Sequence, residues 1–154
     1  MEDEGGRVRA RPAMILSHIN LMLERHGRRL GPDPASSAAC TIGGVIANNA
    51  GGMRCTVQKD AYHTVSALTF VTPSGVVIDT AKPDAEKRFV QAEPELAKGL
   101  LELRRELLAD QVLADRLRRK YAIRNTHGLR LCALLDGETP LEIFRRLLDR
   151  KSVV

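Results

Sequence analysis

The sequence predicts a chain of the α+β class, because two regions carry helical periodicity and a third carries the signature of a β-hairpin. Apolar residues recur at spacings of three and four over 13–26 and again over 93–120, as on the buried face of an amphipathic helix. Residues 65–71 and 76–80 are rich in Val, Ile and Thr, and Thr-Pro-Ser-Gly joins them. Helices and antiparallel strands in separate parts of a chain are typical of α+β proteins.

Composition indicates a soluble or peripheral globular chain that amounts to one domain or part of one. Of its 154 residues 44% are apolar and 28% charged, with a net charge of 24 − 19 = +5. That charge permits attraction to anionic partners, including the phosphates of a dinucleotide or a membrane surface. Two Tyr and three Phe are too few to favour nucleic-acid stacking. The acidic N-terminus and the absence of an apolar run of about 20 residues predict a cytoplasmic location.

The first quarter of the chain is predicted to contain a strand and a helix. Residues 7–11 alternate Arg-Val-Arg-Ala-Arg, a short strand signal that ends at Pro12. Pro12 suits the first position of a helix, where its missing N–H costs nothing. The helix is predicted over 13–26, with Gly27 placed to end it.

Further elements follow from local signals. Residues 41–49 predict a short helix or turn with its N-terminus toward a ligand, 53–62 a loop, and 82–88 a polar connector. Asp110 is placed to divide the long helical region. Thr139, Pro140 and Glu142 predict a capping box before a last helix.

The most informative stretch is the glycine-rich segment, residues 32–52, which holds Gly pairs at 43–44 and 51–52. Small residues and amides lie between the pairs, and no charged residue occurs from 35 to 52. A glycine lets another molecule approach its backbone, and successive N–H groups can converge on an anion. Asn48 and Asn49 add side-chain donors and acceptors. Spacing alone leaves a bound ligand and a tight loop as equal alternatives.

The longer sequence pattern of this segment favours the bound ligand over the tight loop. Pro-Asp-Pro-x-Ser-Ser followed by Thr-x-Gly-Gly-x-Ile-Ala-Asn-Asn-x-Gly-Gly resembles the second FAD-contacting segment of FAD-linked oxidases of the vanillyl-alcohol oxidase / p-cresol methylhydroxylase (PCMH) type. The nearest branch is that of D-lactate dehydrogenase and the glycolate oxidase subunit. Residues 27–34 and 120–131 are similar to two further stretches of that branch, although Leu129 replaces a frequent aromatic residue and Ala13 a usual glycine.

The resemblance implies an incomplete PCMH-type FAD-binding domain over residues 1–148, with a mixed sheet flanked by helices. It implies FAD as the cofactor, with Ser and Thr hydroxyls bonding the flavin or its phosphates and glycines permitting close approach. The implied contacts are Pro34, Ser36, Ser37, Thr41, Gly43, Gly44, Asn48, Gly51 and Gly52.

The implied activity is oxidation of a D-2-hydroxy acid, such as D-lactate or glycolate, to the 2-oxo acid by hydride transfer to the flavin. A quinone, a cytochrome or an iron–sulfur domain would accept the electrons, and the inner face of the membrane is a compatible location. The catalytic residues are unknown, because the family's substrate-contacting residues lie in a C-terminal domain. A non-catalytic flavin-fold binding module, a decayed gene fragment, and a flavin oxidase of another alcohol remain alternatives.

No metal site is expected, because the Cys and His residues do not follow a ligand spacing. Cys40, Cys55 and Cys132 are instead predicted to be buried or idle thiols. Residues 149–154, Asp-Arg-Lys-Ser-Val-Val, match the translation of a widely used sequencing adaptor and are predicted to be a non-native tail. Family members continue into further flavin-contacting segments, so we expect the natural protein to be longer and this chain alone to be inactive.

Overall fold

A computed structural model describes residues 6–125, 128–147 and 149–150. The chain divides into two compact units, the first formed by residues 1–64 with 149–154 and the second by residues 65–148. The described elements, in chain order, are α1 (Leu16–Glu24), α2 (Ile42–Ala47), α3 (Ala61–Thr64), β1 (Thr69–Val71), β2 (Val77–Asp79), α4 (Ala85–Ala92), α5 (Pro94–Ala109), α6 (Gln111–Ala122), β3 (Gly128–Leu129), α7 (Ala133–Asp136), α8 (Pro140–Arg146) and β4 (Asp149–Arg150). Helices with short antiparallel pairing confirm the α+β class.

In the first unit, helix α1 begins later than its apolar periodicity predicts. Leu16, Ile19 and Leu23 form its buried face. The three residues after Pro12 are not helical, and Pro12 therefore does not occupy the first helical position. Gly27 adopts a φ of +64°, the left-handed conformation expected of a residue just beyond a helix.

The strand predicted at 7–11 is wrong. Only Arg7 takes part in a β-bridge, and the residues from 8 to 11 are irregular. Alternation over five residues is a weak signal, and a strand forms only where a second chain segment supplies ladder hydrogen bonds. The loop predicted at 53–62 is confirmed up to Asp60, after which α3 begins.

In the second unit, the predicted hairpin is confirmed with shorter arms. β1 and β2 pair antiparallel, with Phe70 opposite Ile78 at the centre of the register. The turn closes through Thr72, whose N–H donates to Val76 O at 2.9 Å. Gly75 has a φ of +83°, a conformation that other residues adopt only with strain.

The helical part of this unit follows the predicted pattern except at its start. Residues 82–88 are only partly a connector, because α4 begins at Ala85 and buries Phe89 completely. Asp110 divides α5 from α6 as predicted, and its Oδ1 accepts the N–H of Leu113 at 2.9 Å. The division follows from this cap, because the side chain takes over a donor left open at the start of α6.

The core of the second unit centres on three phenylalanines from three elements. The ring of Phe144 lies 5.1 Å from those of both Phe70 and Phe89, centre to centre. Ile78 and Ile143 are fully buried in this unit. Packing across β1, β2, α4 and α8 therefore holds the hairpin and the helices of this unit together.

Polar contacts fix the helix ends around this core. Thr139 Oγ1 accepts the N–H of Glu142 at 3.3 Å, as the predicted capping box requires. The carboxylate of Glu142, however, accepts from the N–H of Glu138 rather than of Thr139. The Thr139 hydroxyl donates to Glu86 Oε2 at 2.7 Å, so α4 caps α8 through a tertiary contact.

The chain that follows α6 is held by one tyrosine. Tyr121 ends the buried face of α6, and its hydroxyl donates to Leu129 O at 2.8 Å and accepts from Leu131 N at 3.2 Å. Residues 126–127 lie outside the described residues, as do the side chains of the predicted tail at 149–154.

The hairpin turn is tied to the start of α5 by a carboxylate. Glu93 Oε1 accepts the N–H of Ser74 at 2.8 Å. This backbone bond, with hydrogen bonds from the hydroxyls of Ser74 and Thr72, holds the pKa of the Glu93 carboxyl below its ordinary value of 4.5, against the opposing effect of desolvation.

We predict that replacing Glu93 by Gln weakens the acid dependence of stability. A carboxyl with a lowered folded-state pKa stabilises the native state above its unfolded pKa and loses this contribution as pH falls through the folded pKa. The difference between the unfolding free energies of the native chain and E93Q should therefore shrink from about pH 6 to about pH 3. Urea denaturation at several pH values measures it; a difference that stays constant would contradict the assignment.

Candidate functional site

The glycine-rich segment lies wholly in the first unit and is hydrogen-bonded along the chain that leads into α1. Leu16 N donates to Cys40 O at 3.0 Å, and Ser17 N donates to Ser37 O at 3.1 Å. Turns occupy residues 35–39, and α2 follows directly. The segment is therefore hydrogen-bonded to α1, whose inner face is buried, and is not a free loop.

Helix α2 confirms the short helix predicted for residues 41–49, but its first N–H groups are already used within the chain. The N–H of Ile42 donates to Met14 O at 2.8 Å, and that of Gly43 donates to Pro12 O at 2.9 Å. The N–H of Gly44 donates to Thr41 Oγ1 at 3.3 Å. A ligand at this helix end would have to displace one of these bonds or use other groups of the segment.

Gly43 and Gly52 are required by packing inside the unit. A Cβ on Gly43 would lie 2.8 Å from the Cβ of Pro12, and a Cβ on Gly52 would overlap the carboxylate and carbonyl of Asp33. Asp33 cannot easily move away, because its carboxylate accepts the N–H groups of Arg54 and Cys55 at 3.1 and 3.2 Å. These two glycines therefore allow chain segments to approach each other, whatever else they contact.

Gly44 has a different environment. A Cβ there would meet only Thr41 Oγ1, at an ordinary contact distance of 3.4 Å. The residue is exposed and lies in the middle of α2. Its missing side chain is thus unexplained by internal packing and leaves room for a molecule outside the chain.

The exposed residues of the glycine-rich segment are all small and uncharged. The exposed members of the segment are Ala35, Ser36, Ala38, Ala39, Gly44, Ala47 and Asn48. None of these residues carries a long or charged side chain that would keep a molecule away from the backbone. Hydroxyl and amide groups on this surface offer polar contacts. We name it the small-residue face.

The nine residues predicted as cofactor contacts occupy three environments in this unit. Those exposed on the small-residue face are Ser36, Gly44 and Asn48. Those half-buried are Pro34, Ser37, Thr41, Gly43 and Gly52. Gly51 is buried.

Asn49 and Asp33 were not predicted as cofactor contacts, yet both stabilise the conformation of the glycine-rich segment through hydrogen bonds. Asn49 is 5% exposed, has a φ of +39°, and accepts the N–H of Tyr62 on its Oδ1 at 3.0 Å. Asp33 supports the turn after Gly52, as described above. The available signal was residue type, because Asn tolerates the left-handed conformation and Asp accepts backbone N–H groups in turns.

Within the described ranges, no group of three His, Cys, Asp or Glu residues is arranged to hold a metal ion. Cys55 and Cys132 are buried thiols and Cys40 is half-buried. Among the same residues, no helix is both long and apolar enough to cross a membrane.

Comparison with known proteins assigns the class. Residues 1–81 match the family described as "FAD binding domain". The chain therefore belongs to the FAD binding domain family, and FAD is its cofactor. The open backbone at Gly44 and the small-residue face fit a planar, polar-edged cofactor.

Two curated relatives resemble the chain over 71 residues. It is 34% identical to the glycolate oxidase subunit GlcD of Escherichia coli K12, over 46% of this chain and 14% of the relative. It is also 34% identical to the D-lactate dehydrogenase of Anaerostipes hadrus, over 46% of this chain and 15% of the relative. The chain thus spans about a seventh of these relatives' length. No solved structure matches it.

We predict that replacing Gly44 by alanine stabilises the chain, whereas replacing Gly52 by alanine destabilises it. Gly44→Ala should raise the free energy of unfolding by about 0.5–1 kcal/mol, because alanine is favoured over glycine within a helix. Gly52→Ala should lower it by about 1–3 kcal/mol, because the added Cβ overlaps Asp33. Urea denaturation of the two variants checks this; a loss of stability in Gly44→Ala equal to that in Gly52→Ala would contradict the open environment of Gly44.

Proposed function

We propose that this chain is part of a flavin-dependent oxidoreductase that oxidises a D-2-hydroxy acid to the 2-oxo acid. The observation that carries the proposal is the small-residue face in a chain of the FAD binding domain family. The substrate class is supported by the names of the two relatives, since glycolate and D-lactate are both 2-hydroxy acids.

The proposed cofactor contacts divide into residues that touch FAD and residues that hold the touching backbone. Ser36 and Asn48 are exposed and offer polar groups, and Gly44 lets a planar group approach the backbone of α2. Ser37, Thr41, Pro34 and Gly51 contribute through backbone groups or partly covered side chains. Gly43 and Gly52 keep the segment close to Pro12 and Asp33, so they act by positioning.

The charge of the first unit suits a cofactor with a pyrophosphate. Residues 6–64 contain eight Lys and Arg side chains and three Asp and Glu side chains, a net charge of 8 − 3 = +5. The glycine-rich segment itself contributes only Asp33 to this balance. The basic residues of the unit attract phosphates at long range. At the uncharged small-residue face itself, the cofactor is bound through hydrogen bonds.

FAD, when bound, supplies a two-electron acceptor for the hydride that leaves the α-carbon of the hydroxy acid. We assign no proton acceptor within this chain. The proposed whole protein is longer, with residues 1–148 as part of its flavin domain and 149–154 as a non-native tail. Its substrate domain and its electron acceptor, whether a quinone, a cytochrome or an iron–sulfur domain, lie outside residues 1–148, and a peripheral membrane position is compatible with the net positive charge.

We predict that Gly44→Val in the longer protein abolishes flavin retention while the fold persists. The valine side chain would project into the proposed cofactor space, and the nearest atom to its Cβ within the chain would be Thr41 Oγ1, at an ordinary contact distance of 3.4 Å. The readout is the visible absorbance of flavin that remains after purification, with circular dichroism to monitor folding.

Gly99→Val is the matched control. Gly99 also lies inside a helix with open space at its Cβ position, but it belongs to α5 in the second unit. Its effect on helix stability should be comparable, because valine replaces a glycine inside a helix in both variants, and it should retain flavin. Unchanged flavin in Gly44→Val would refute the placement of the cofactor at this face.

We predict that D-lactate or glycolate reduces the bound flavin of the longer protein under anaerobic conditions. L-lactate, an aldonolactone and an aryl alcohol serve as comparisons, because other flavin oxidases act on alcohols that lack the carboxylate. Bleaching of the flavin by the aryl alcohol and not by either D-lactate or glycolate would replace the proposed substrate class while leaving the cofactor site intact.

A further inference from the structure

A histidine and a buried aspartate are paired at the start of α3 in the first unit. Nδ1 of His63 lies 2.7 Å from Oδ1 of Asp60. The Asp60 side chain is only 9% exposed, whereas 38% of the His63 side chain is exposed. The contact therefore joins a carboxylate inside the unit to an imidazole ring at its surface. We name these two residues the Asp60–His63 pair.

Neighbouring residues restrain both members of the pair. The backbone carbonyl of Asp60 accepts the hydroxyl of Thr64 at 2.8 Å and its N–H at 3.1 Å. The ring of His63 meets the ring of Tyr62 edge-on, with the two ring centres 5.0 Å apart. The imidazole is thus held by an aromatic neighbour as well as by the carboxylate.

The pair determines which ring nitrogen is available to another molecule. A carboxylate only accepts hydrogen bonds, so the proton of the contact lies on Nδ1 of His63. In the neutral ring the other nitrogen, Nε2, is then a hydrogen-bond acceptor. Within the residues that the structure describes, no hydrogen bond to Nε2 is seen.

The contact with the ring goes beyond what the helix start requires. The same oxygen of Asp60 accepts the backbone N–H of His63 at 3.2 Å, and that bond alone serves the open end of α3. The shorter contact with Nδ1 adds a fixed orientation of the imidazole. A ring oriented in this way presents Nε2 as an acceptor prepared in advance for a donor.

Helix α3 is also joined to the glycine-rich segment. The N–H of Tyr62 donates to Oδ1 of the buried Asn49 at 3.0 Å. Asn49 directly follows Asn48, which is exposed and is one of the proposed cofactor contacts. Helices α2 and α3 also contact each other. The helix that carries His63 therefore adjoins the end of α2 at Asn48.

We propose that His63 is a further contact for FAD, with Nε2 accepting a hydrogen bond from the cofactor, and that Asp60 positions the ring. This inference rests on the proposed placement of FAD at the small-residue face. FAD carries O–H donors on its ribityl chain and ribose and N–H donors on its two ring systems, which match an acceptor nitrogen. An acceptor that is oriented before binding loses less conformational freedom when the cofactor binds.

Asparagine and glutamine in place of His63 separate the roles of the two ring nitrogens. The amide of glutamine reaches about as far as Nε2 and can still accept from FAD, whereas that of asparagine reaches only as far as Nδ1 and Asp60. In the apo form of the longer protein, His63→Asn should raise the dissociation constant for FAD about three- to tenfold, through the loss of one hydrogen bond. His63→Gln should stay within about twofold of the native value. Titration with FAD, followed by flavin fluorescence, measures both.

Asp60→Ser tests the positioning role. Serine can accept the N–H of His63 at the start of α3, but its hydroxyl is too short to hold the ring. Asp60→Ser should therefore weaken FAD binding in the native background and have no further effect in the His63→Asn background. An additional loss of the same size in both backgrounds would contradict action through His63. Circular dichroism of each variant monitors the fold.

His26→Asn is the matched control, because it makes the same change at another exposed histidine of the first unit and should leave FAD binding unchanged. Equal weakening by His63→Asn and His63→Gln, or weakening by His63→Gln alone, would overturn the proposal. Loss of flavin in Gly44→Val with native binding in His63→Asn would refute the contact at His63 and leave the proposed cofactor face intact. Native binding in both variants would refute the cofactor placement as well.

Discussion

The first unit depends on a short set of backbone hydrogen bonds between the chain entering α1 and the glycine-rich segment. Pro12 and Met14 accept N–H groups from the start of α2, while Leu16 and Ser17 donate to the turn before it. These bonds satisfy groups at the ends of two helices at once, groups that would otherwise need water or side chains. Leu16 and Ile19 are fully buried and anchor α1 in the core of this unit. The glycine-rich segment is therefore held in place by its hydrogen bonds to α1.

The glycines of this segment have two different structural roles. Where chain meets chain, as at Gly43 and Gly52, a Cβ would collide with Pro12 or Asp33, and the absence of a side chain permits close packing. At Gly44 the backbone is open, and the absence of a side chain leaves it accessible from outside the chain. A glycine-rich segment can thus serve largely for packing, with only part of its backbone accessible from outside the chain.

The second unit is held by packing and by polar contacts between elements far apart in the chain. Glu86 caps α8 through Thr139, and Arg104 Nε donates to Gly137 O at 2.8 Å. Such contacts replace water at helix ends near the core, where an unsatisfied group would be costly.

Local sequence determined the elements whose signals are local. The hairpin followed from Val, Ile and Thr around a Pro-Gly turn, the division of the long helix from Asp110, and the last helix from Thr139 and Pro140. The family and FAD also followed from sequence, because a long string of residue types can be compared directly. The proposed roles of individual residues in cofactor binding could not be derived in the same way.

Tertiary structure decided which of the local possibilities were used. Residues 7–11 had strand alternation but formed no strand, and α1 began late because Pro12 and Met14 bond to α2. Sequence could not distinguish Gly44 from Gly43 and Gly52, since residue type is the same and only the neighbours in space differ. A side chain's environment is set by segments distant in the chain, and periodicity and turn signals carry no information about those partners.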